Sequence, residues 1–145
     1  MNKQRSLRPI LLIEDNYDDY EATERSFRQA KLMNPIHWCK NAREGLDFLQ
    51  QRKDGPPEEL PCMILLDLNM PGMDGRSALK EIKKDPKVCS IPVIVLTTSS
   101  SELDVDFCYH EGASTYIQKP VEFDNLVKAA VRLRDYWFGV ALLPN

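Results

Sequence analysis

Three acids, a hydroxyl and an amine stand at the ends of short apolar runs. Glu14 and Asp15 follow "ILLI", Asp67 follows "CMILL", Thr97 closes "IPVIVLT", and Lys119 follows "STYIQ". Strand interiors reject Asp, and a carboxylate ending a greasy segment costs free energy unless a nearby group needs it. Gathered in one cleft, Glu14, Asp15 and Asp67 would disfavour one another's ionisation. A hard divalent cation resolves that repulsion, and an oxygen-only donor set suits Mg2+, which keeps several waters and takes one or two carboxylates. A metal, an ammonium and a hydroxyl around one remaining carboxylate suit phosphoryl transfer. The cation and the ammonium balance phosphoryl charge, and the carboxylate serves as covalent acceptor. Asp67 is the best-placed acceptor. It leads "DLNMPGMDG", whose Gly72 and Gly75 let backbone approach the site.

Such a cleft requires elements that bring the five residues together. "PILLIE" (9–14) reads as a strand buried on both faces, and "PIHWC" (35–39), "CMILLD" (62–67), "IPVIVLT" (91–97) and "STYIQ" (114–118) as four more. Helices alternate with them. Asn16 caps "YDDYEATERSFRQAKL", whose acids come early and bases late, matching the helix dipole. Asn41 with Glu44 forms a variant capping box for "AREGLDFLQQRK". "DGRSALKEIKKD" is stopped by Pro86, "SELDVDFCYHEG" ends at Gly112, and the chain from Val121 is largely helix. "DGPPEELP" (54–61) is loop. This alternation predicts an α/β, flavodoxin-like, doubly wound parallel sheet of order 2-1-3-4-5, with a C-terminal helical extension. In such a sheet the ligand site lies beyond the carboxyl ends of the strands, where all five residues stand.

The 145 residues fit one domain, with a core over about 7–134 and an apolar extension over 135–145. Composition is ordinary, with 43% apolar and 28% charged residues. A formal net charge of −3 leaves no basic footprint for nucleic acid. No apolar run approaches the ~18 residues of a membrane span. The N-terminus is basic and then apolar, but acids follow "ILLI" where a signal peptide needs small residues, so a cytoplasmic location is expected. The four cysteines show no metal or redox spacing and read as reduced thiols.

Four fragments in order resemble the motifs of response-regulator receiver domains (the CheY-like fold): "IEDN" the acidic pair, "LLDLNMPGMDG" the phosphoacceptor loop, "PVIVLTTS" the switch-threonine strand and "YIQKP" the lysine-proline. The resemblance implies that Asp67 takes phosphate from a histidine kinase. It implies Mg2+ held by the carboxylates of Asp15 and Asp67 and the Asn69 carbonyl, with Glu14 assisting. Thr97 and Lys119 would contact the phosphoryl group, and Tyr116 would be a rotamer switch coupled to Thr97. It implies a cis Lys119–Pro120 bond, and no catalysis beyond the chain's own phosphorylation and dephosphorylation. Thr98 departs from the pattern, because the family usually has Ala, Ser or Gly there. The tail and "LTTSS" look more narrowly like single-domain response regulators paired with cyanobacterial phytochrome-type kinases, with no output domain expected.

Other readings stay open at this point. An aspartyl-phosphate phosphatase of the haloacid-dehalogenase type needs a second Asp where Asn69 stands. Nucleotide binding lacks any glycine-rich phosphate motif. A phosphorelay intermediate and a scaffold that never takes phosphate both remain. Asp67 alone could cap a turn, Lys119 alone could be a solvated amine, and Tyr116 could be plain strand packing. His37 and His110 have no partner spacing. In the tail, "YWFGVALL" (136–143) is apolar beyond the single stripe an end helix needs. It predicts a homodimer through Tyr136, Trp137, Phe138, Leu142 and Leu143, with the kinase docking near the first helix. The competing reading is that the tail folds back over its own domain.

Overall fold

Each of the five strands is four or five residues long and runs parallel to its neighbours, and across the sheet they lie in the chain order second, first, third, fourth, fifth. The computed structural model describes residues 8–144. The basic N-terminal stretch, residue 7 of the expected core and Asn145 of the expected extension lie outside the described residues. β1 (Ile10–Ile13), β3 (Met63–Leu66) and β4 (Val93–Thr97) are buried along their whole length. That is why they read as unbroken apolar runs. The edge strands β2 (Ile36–Cys39) and β5 (Thr115–Gln118) are only partly covered, and their sequences are correspondingly mixed.

Successive residues of each central strand face opposite layers. Leu11, Ile13, Ile64, Leu66, Val93 and Val95 pack with α2 (Ala42–Arg52) and α3 (Gly75–Lys84). On this side Cys108 of α4 (Glu102–His110) is also buried. Ile10, Leu12, Met63, Leu65 and Ile94 pack on the other side, with Phe27 of α1 (Tyr17–Gln29) and Ala130 and Leu133 of α5 (Phe123–Asp135). Each fully buried large aliphatic contributes about 1.5–3 kcal/mol, so the two layers dominate the stability that fixes the strand ends. The predicted caps are present. Asn16 Oδ1 accepts from Asp19 N at 2.9 Å, and Asn41 Oδ1 from Glu44 N at 2.8 Å. The predicted loop over 54–61 contains a short 3-10 turn, Pro57–Glu59. All four thiols are free, and burial pushes those of Cys39, Cys62 and Cys108 up to about 11. No helix among the described residues is long and apolar enough to cross a membrane.

Two expectations are corrected. No peptide bond among the described residues is cis, so Lys119–Pro120 is trans. Lys119 N donates to Thr97 O at 2.7 Å, so strand pairing persists one residue past β5 and aims the lysine without a cis bond. The tail also divides. After α5 the chain widens into a π-helical turn, Tyr136–Val140, closed by Ala141 N donating to Tyr136 O at 2.7 Å. Phe138 and Leu143 turn inward and join the layer under α1 and α5. Trp137 is half-buried against the same layer, whereas Tyr136, Val140 and Leu142 are exposed, Leu142 at 90%. Of the five residues expected at a dimer interface, Phe138 and Leu143 therefore cover their own domain.

Candidate functional site

The rim at the carboxyl ends of β1, β3, β4 and β5 is built by backbone pairing that runs past the strands themselves. Glu14 N donates to Cys39 O at 3.0 Å and Asp67 N to Ile13 O at 3.1 Å, which places both acids side by side. The loop after Asp67 is folded tightly back. Gly75 N donates to Leu68 O at 3.0 Å, and Asp74 caps α3 by accepting from Arg76 N and Ser77 N at 3.0 and 3.2 Å. A Cβ on Gly75 would lie 2.1 Å from Asp67 O and 2.7 Å from Leu68 Cα, so only glycine allows α3 to start this close to Asp67. Gly72 has φ +75°, the left-handed region that glycine adopts without strain.

Glu14 and Asp67 are buried and Asp15 is exposed, yet one carboxylate oxygen from each lies within 4.8 Å of the others. Such an oxygen-only trio fits a hard divalent cation. Lys119 reaches into the same cluster. Its Nζ lies 2.5 Å from Glu14 Oε1, 2.9 Å from Asp19 Oδ2 and 3.7 Å from Asp67 Oδ2. Burial pushes the Glu14 carboxyl up to about 7; the hydrogen bond and charge of Lys119 pull against it, and the charge of Asp67 adds to the rise. Burial works against the Lys119 ammonium, but hydrogen bonds to Glu14 and Asp19 and the charges of Glu14 and Asp67 outweigh it, holding its pKa above the ordinary value.

Thr97 is fully buried at the end of β4, and its Oγ1 has no hydrogen-bond partner among the described residues. A buried hydroxyl left unpaired costs about 1–3 kcal/mol and marks a place where a ligand atom would be welcome. Asn69 is exposed in the loop, where its N–H donates to Asp67 Oδ1 at 3.4 Å. Tyr116 pairs across from Val95, packs against the α2–α3 layer and donates its hydroxyl to Ser99 O at 2.8 Å. The structure thus joins Tyr116 to the loop after Thr97. Thr98 is exposed at the mouth of the rim.

Sequence reasoning passed over two groups. Asp19, taken there only for its place in the acidic first turn of a helix, holds Lys119. Arg76 at the start of α3 grips Asp104 of α4, with Nε to Oδ1 at 2.8 Å and a second contact at 2.7 Å. Ser99 Oγ donates to the same carboxylate at 2.7 Å, and these bonds hold Asp104 below the usual carboxylate range. The only available signal was the density of acids in "EDNYDD", which cannot say which acid faces inward.

Comparison with known proteins agrees with this geometry. The family model described as "Response regulator receiver domain" matches residues 10–131. The chain is 35% identical over 130 residues to the "Probable methanogenesis regulatory protein FilR2" of Methanothrix harundinacea, covering 90% of this chain and 83% of that protein. It is 33% identical over 135 residues to "Response regulator Rcp1" of Synechocystis, covering 93% and 92%. The crystal structure of the phosphorylated cyanobacterial phytochrome response regulator RcpA superposes with a TM-score of 0.85 at 32% identity, over 95% of this chain and 99% of that one. The Mn2+-bound form of Rcp1 gives 0.83 at 33% identity, over the same shares of the two chains. The fold, the acidic rim and these likenesses place the chain in the family of response regulator receiver domains.

Proposed function

We propose that this chain is a cytoplasmic, single-domain response regulator of a two-component system, and that Asp67 accepts a phosphoryl group from a histidine kinase of phytochrome type. The N–P bond of the phosphohistidine breaks, the bond from Asp67 Oδ to phosphorus forms, and the histidine keeps the electron pair. The observation that carries the reading is the meeting of the Glu14, Asp15 and Asp67 carboxylates within 4.8 Å of one another, with an ammonium 3.7 Å from Asp67. Asp15, Asp67 and the Asn69 carbonyl would hold Mg2+, with Glu14 beside them. That cation supplies neutralisation of phosphoryl charge. Lys119 pairs with one phosphoryl oxygen, and Thr97 Oγ1 donates to another, satisfying its orphaned hydroxyl. Movement of Thr97 reaches Tyr116 through the loop that ends at Ser99. The Mn2+ of the Rcp1 structure and the phytochrome in the name of RcpA support the metal and the kinase class. Incubation with acetyl phosphate and Mg2+, followed by intact mass, should show one acid-labile phosphoryl adduct. No adduct from acetyl phosphate or a phosphorylated kinase would end the proposal.

Two smaller expectations follow from the rim and the tail. Hydrolysis needs a water aligned behind phosphorus, and Thr98 adds bulk at the open mouth. Thr98→Gly should shorten the phosphoryl lifetime about threefold, equivalent to ~0.7 kcal/mol off the barrier; a lifetime that is unchanged or longer speaks against screening by Thr98. We further propose a homodimer through the exposed part of the tail, Tyr136 and Leu142 with Trp137 at their edge, held in shape by Phe138 and Leu143. Aromatic and aliphatic anchors of this kind carry interfaces. Leu142→Asp should give a monomer in sedimentation that still takes one phosphoryl group. Wild-type protein that sediments as a monomer at about 50 μM, with and without phosphate, removes the dimer, because an interface of micromolar affinity would be populated there.

A further inference from the structure

Lys119 is shared unevenly among three carboxylates. Glu14 at 2.5 Å and Asp19 at 2.9 Å are hydrogen bonds, whereas Asp67 at 3.7 Å is beyond that range. An ammonium has three N–H donors, and two of them are committed away from the acceptor. Glu14 and Asp67 belong to the acidic cluster itself, but Asp19 does not. It lies in the first turn of α1, with its own N–H held by the Asn16 cap, so the start of the helix places it rather than the cluster. Between α1 and the β5–α5 loop a cavity of about 140 Å³ is lined by Asp19, Thr23, Lys119, Pro120 and Phe123, leaving room for the lysine on that side.

We infer that Asp19 is a positioning residue that draws Lys119 away from Asp67 and thereby restrains phosphoryl uptake. The inference rests on the proposed function. Two effects act in the same direction. To reach a phosphoryl oxygen the ammonium must give up its bond to Asp19, and the Asp19 carboxylate adds one more negative charge to a rim that must admit an anionic donor. Asp19→Asn keeps the shape and the backbone cap but removes both effects. A plain first-turn acid would instead contribute only to helix stability through the dipole and leave phosphorylation alone.

The test uses the full chain with acetyl phosphate and Mg2+, following the rate at which the Asp67 adduct forms. In that reaction the acyl O–P bond breaks, the Asp67 Oδ–P bond forms, and acetate leaves with the electron pair. Asp19→Asn should raise the rate about three- to fivefold, the size expected of a half-exposed ion pair. Asp18→Asn removes the same charge from an exposed position in the same turn and should change the rate less than about twofold. Wild-type phosphorylation with an unchanged or slower Asp19→Asn overturns the inference alone. An equal rise in both variants also overturns it, since charge without the lysine contact would then suffice. Wild-type protein that forms no adduct overturns the proposed function, and the inference with it.

Discussion

Asp67→Asn should abolish phosphoryl uptake from acetyl phosphate and from a kinase while leaving the fold intact. The amide cannot act as the oxygen nucleophile, and no other acid at the rim occupies its place. Glu14 is buried with its carboxyl engaged by Lys119 and by Asn16 N, and Asp15, though its carboxylate joins the cluster, is exposed rather than buried. Asp74 is spent capping α3. The substitution also removes one negative charge from a crowded trio, so the carboxyl of Glu14, now pushed up in part by the charge of Asp67, should titrate lower. Thermal stability should therefore stay level or rise slightly. Mg2+ affinity should fall at least about tenfold, because one donor of the set is lost. Peptide mapping that finds the label on Asp15 or Asp74 would show that the acceptor has been misassigned.

Most of this rim was legible in the sequence because each candidate residue ends an apolar run, and a parallel sheet collects such ends on one side. β1, β3 and β4 are buried on both faces, so their composition announced them. Asn16 and Asn41 announced their helices through side chains that bond within three residues. What failed to show were relations between distant parts of the chain. The bond from Lys119 to Asp19 spans one hundred positions and the Arg76–Asp104 pair twenty-eight, and neither leaves a local periodic trace. The tail shows the same limit. "YWFGVALL" signals apolar surface to be covered, but the pattern cannot say whether the cover is the chain's own core or another molecule. The fold decides it residue by residue, with Phe138 of the π-helical turn and Leu143 beyond it buried and Leu142 left out. The trans Lys119–Pro120 bond was likewise invisible, since an X-Pro bond is open to either isomer and the local sequence does not choose between them.

Gly75→Ala should be the most damaging single methyl in the protein. Its Cβ would be placed 2.1 Å from the backbone oxygen of Asp67 and 2.9 Å from the carbonyl carbon, and neither atom belongs to a flexible side chain that could move aside. Either α3 withdraws from the rim or the Asp67 peptide tilts. A helix gains up to about 1 kcal/mol from Ala over Gly, but overpacking against fixed backbone costs about 3 kcal/mol, so the clash wins. Withdrawal would also strain the bond from Gly75 N to Leu68 O that folds the loop after Asp67 back. At a few degrees per kcal/mol for a chain of this size, the melting temperature should drop by roughly 5–10 °C. Gly72→Ala is the contrasting case. Nothing lies within 4 Å of its added Cβ, and only the φ of +75° resists, for about 1–2 kcal/mol. Gly75→Ala should therefore lose more stability than Gly72→Ala. It should also weaken Mg2+ binding beyond what partial unfolding explains, since the displaced peptide carries the Asp67 carboxylate. Equal losses in the two variants, measured by thermal unfolding together with metal titration of the folded fraction, would mean that α3 does not press on Asp67 as the geometry requires.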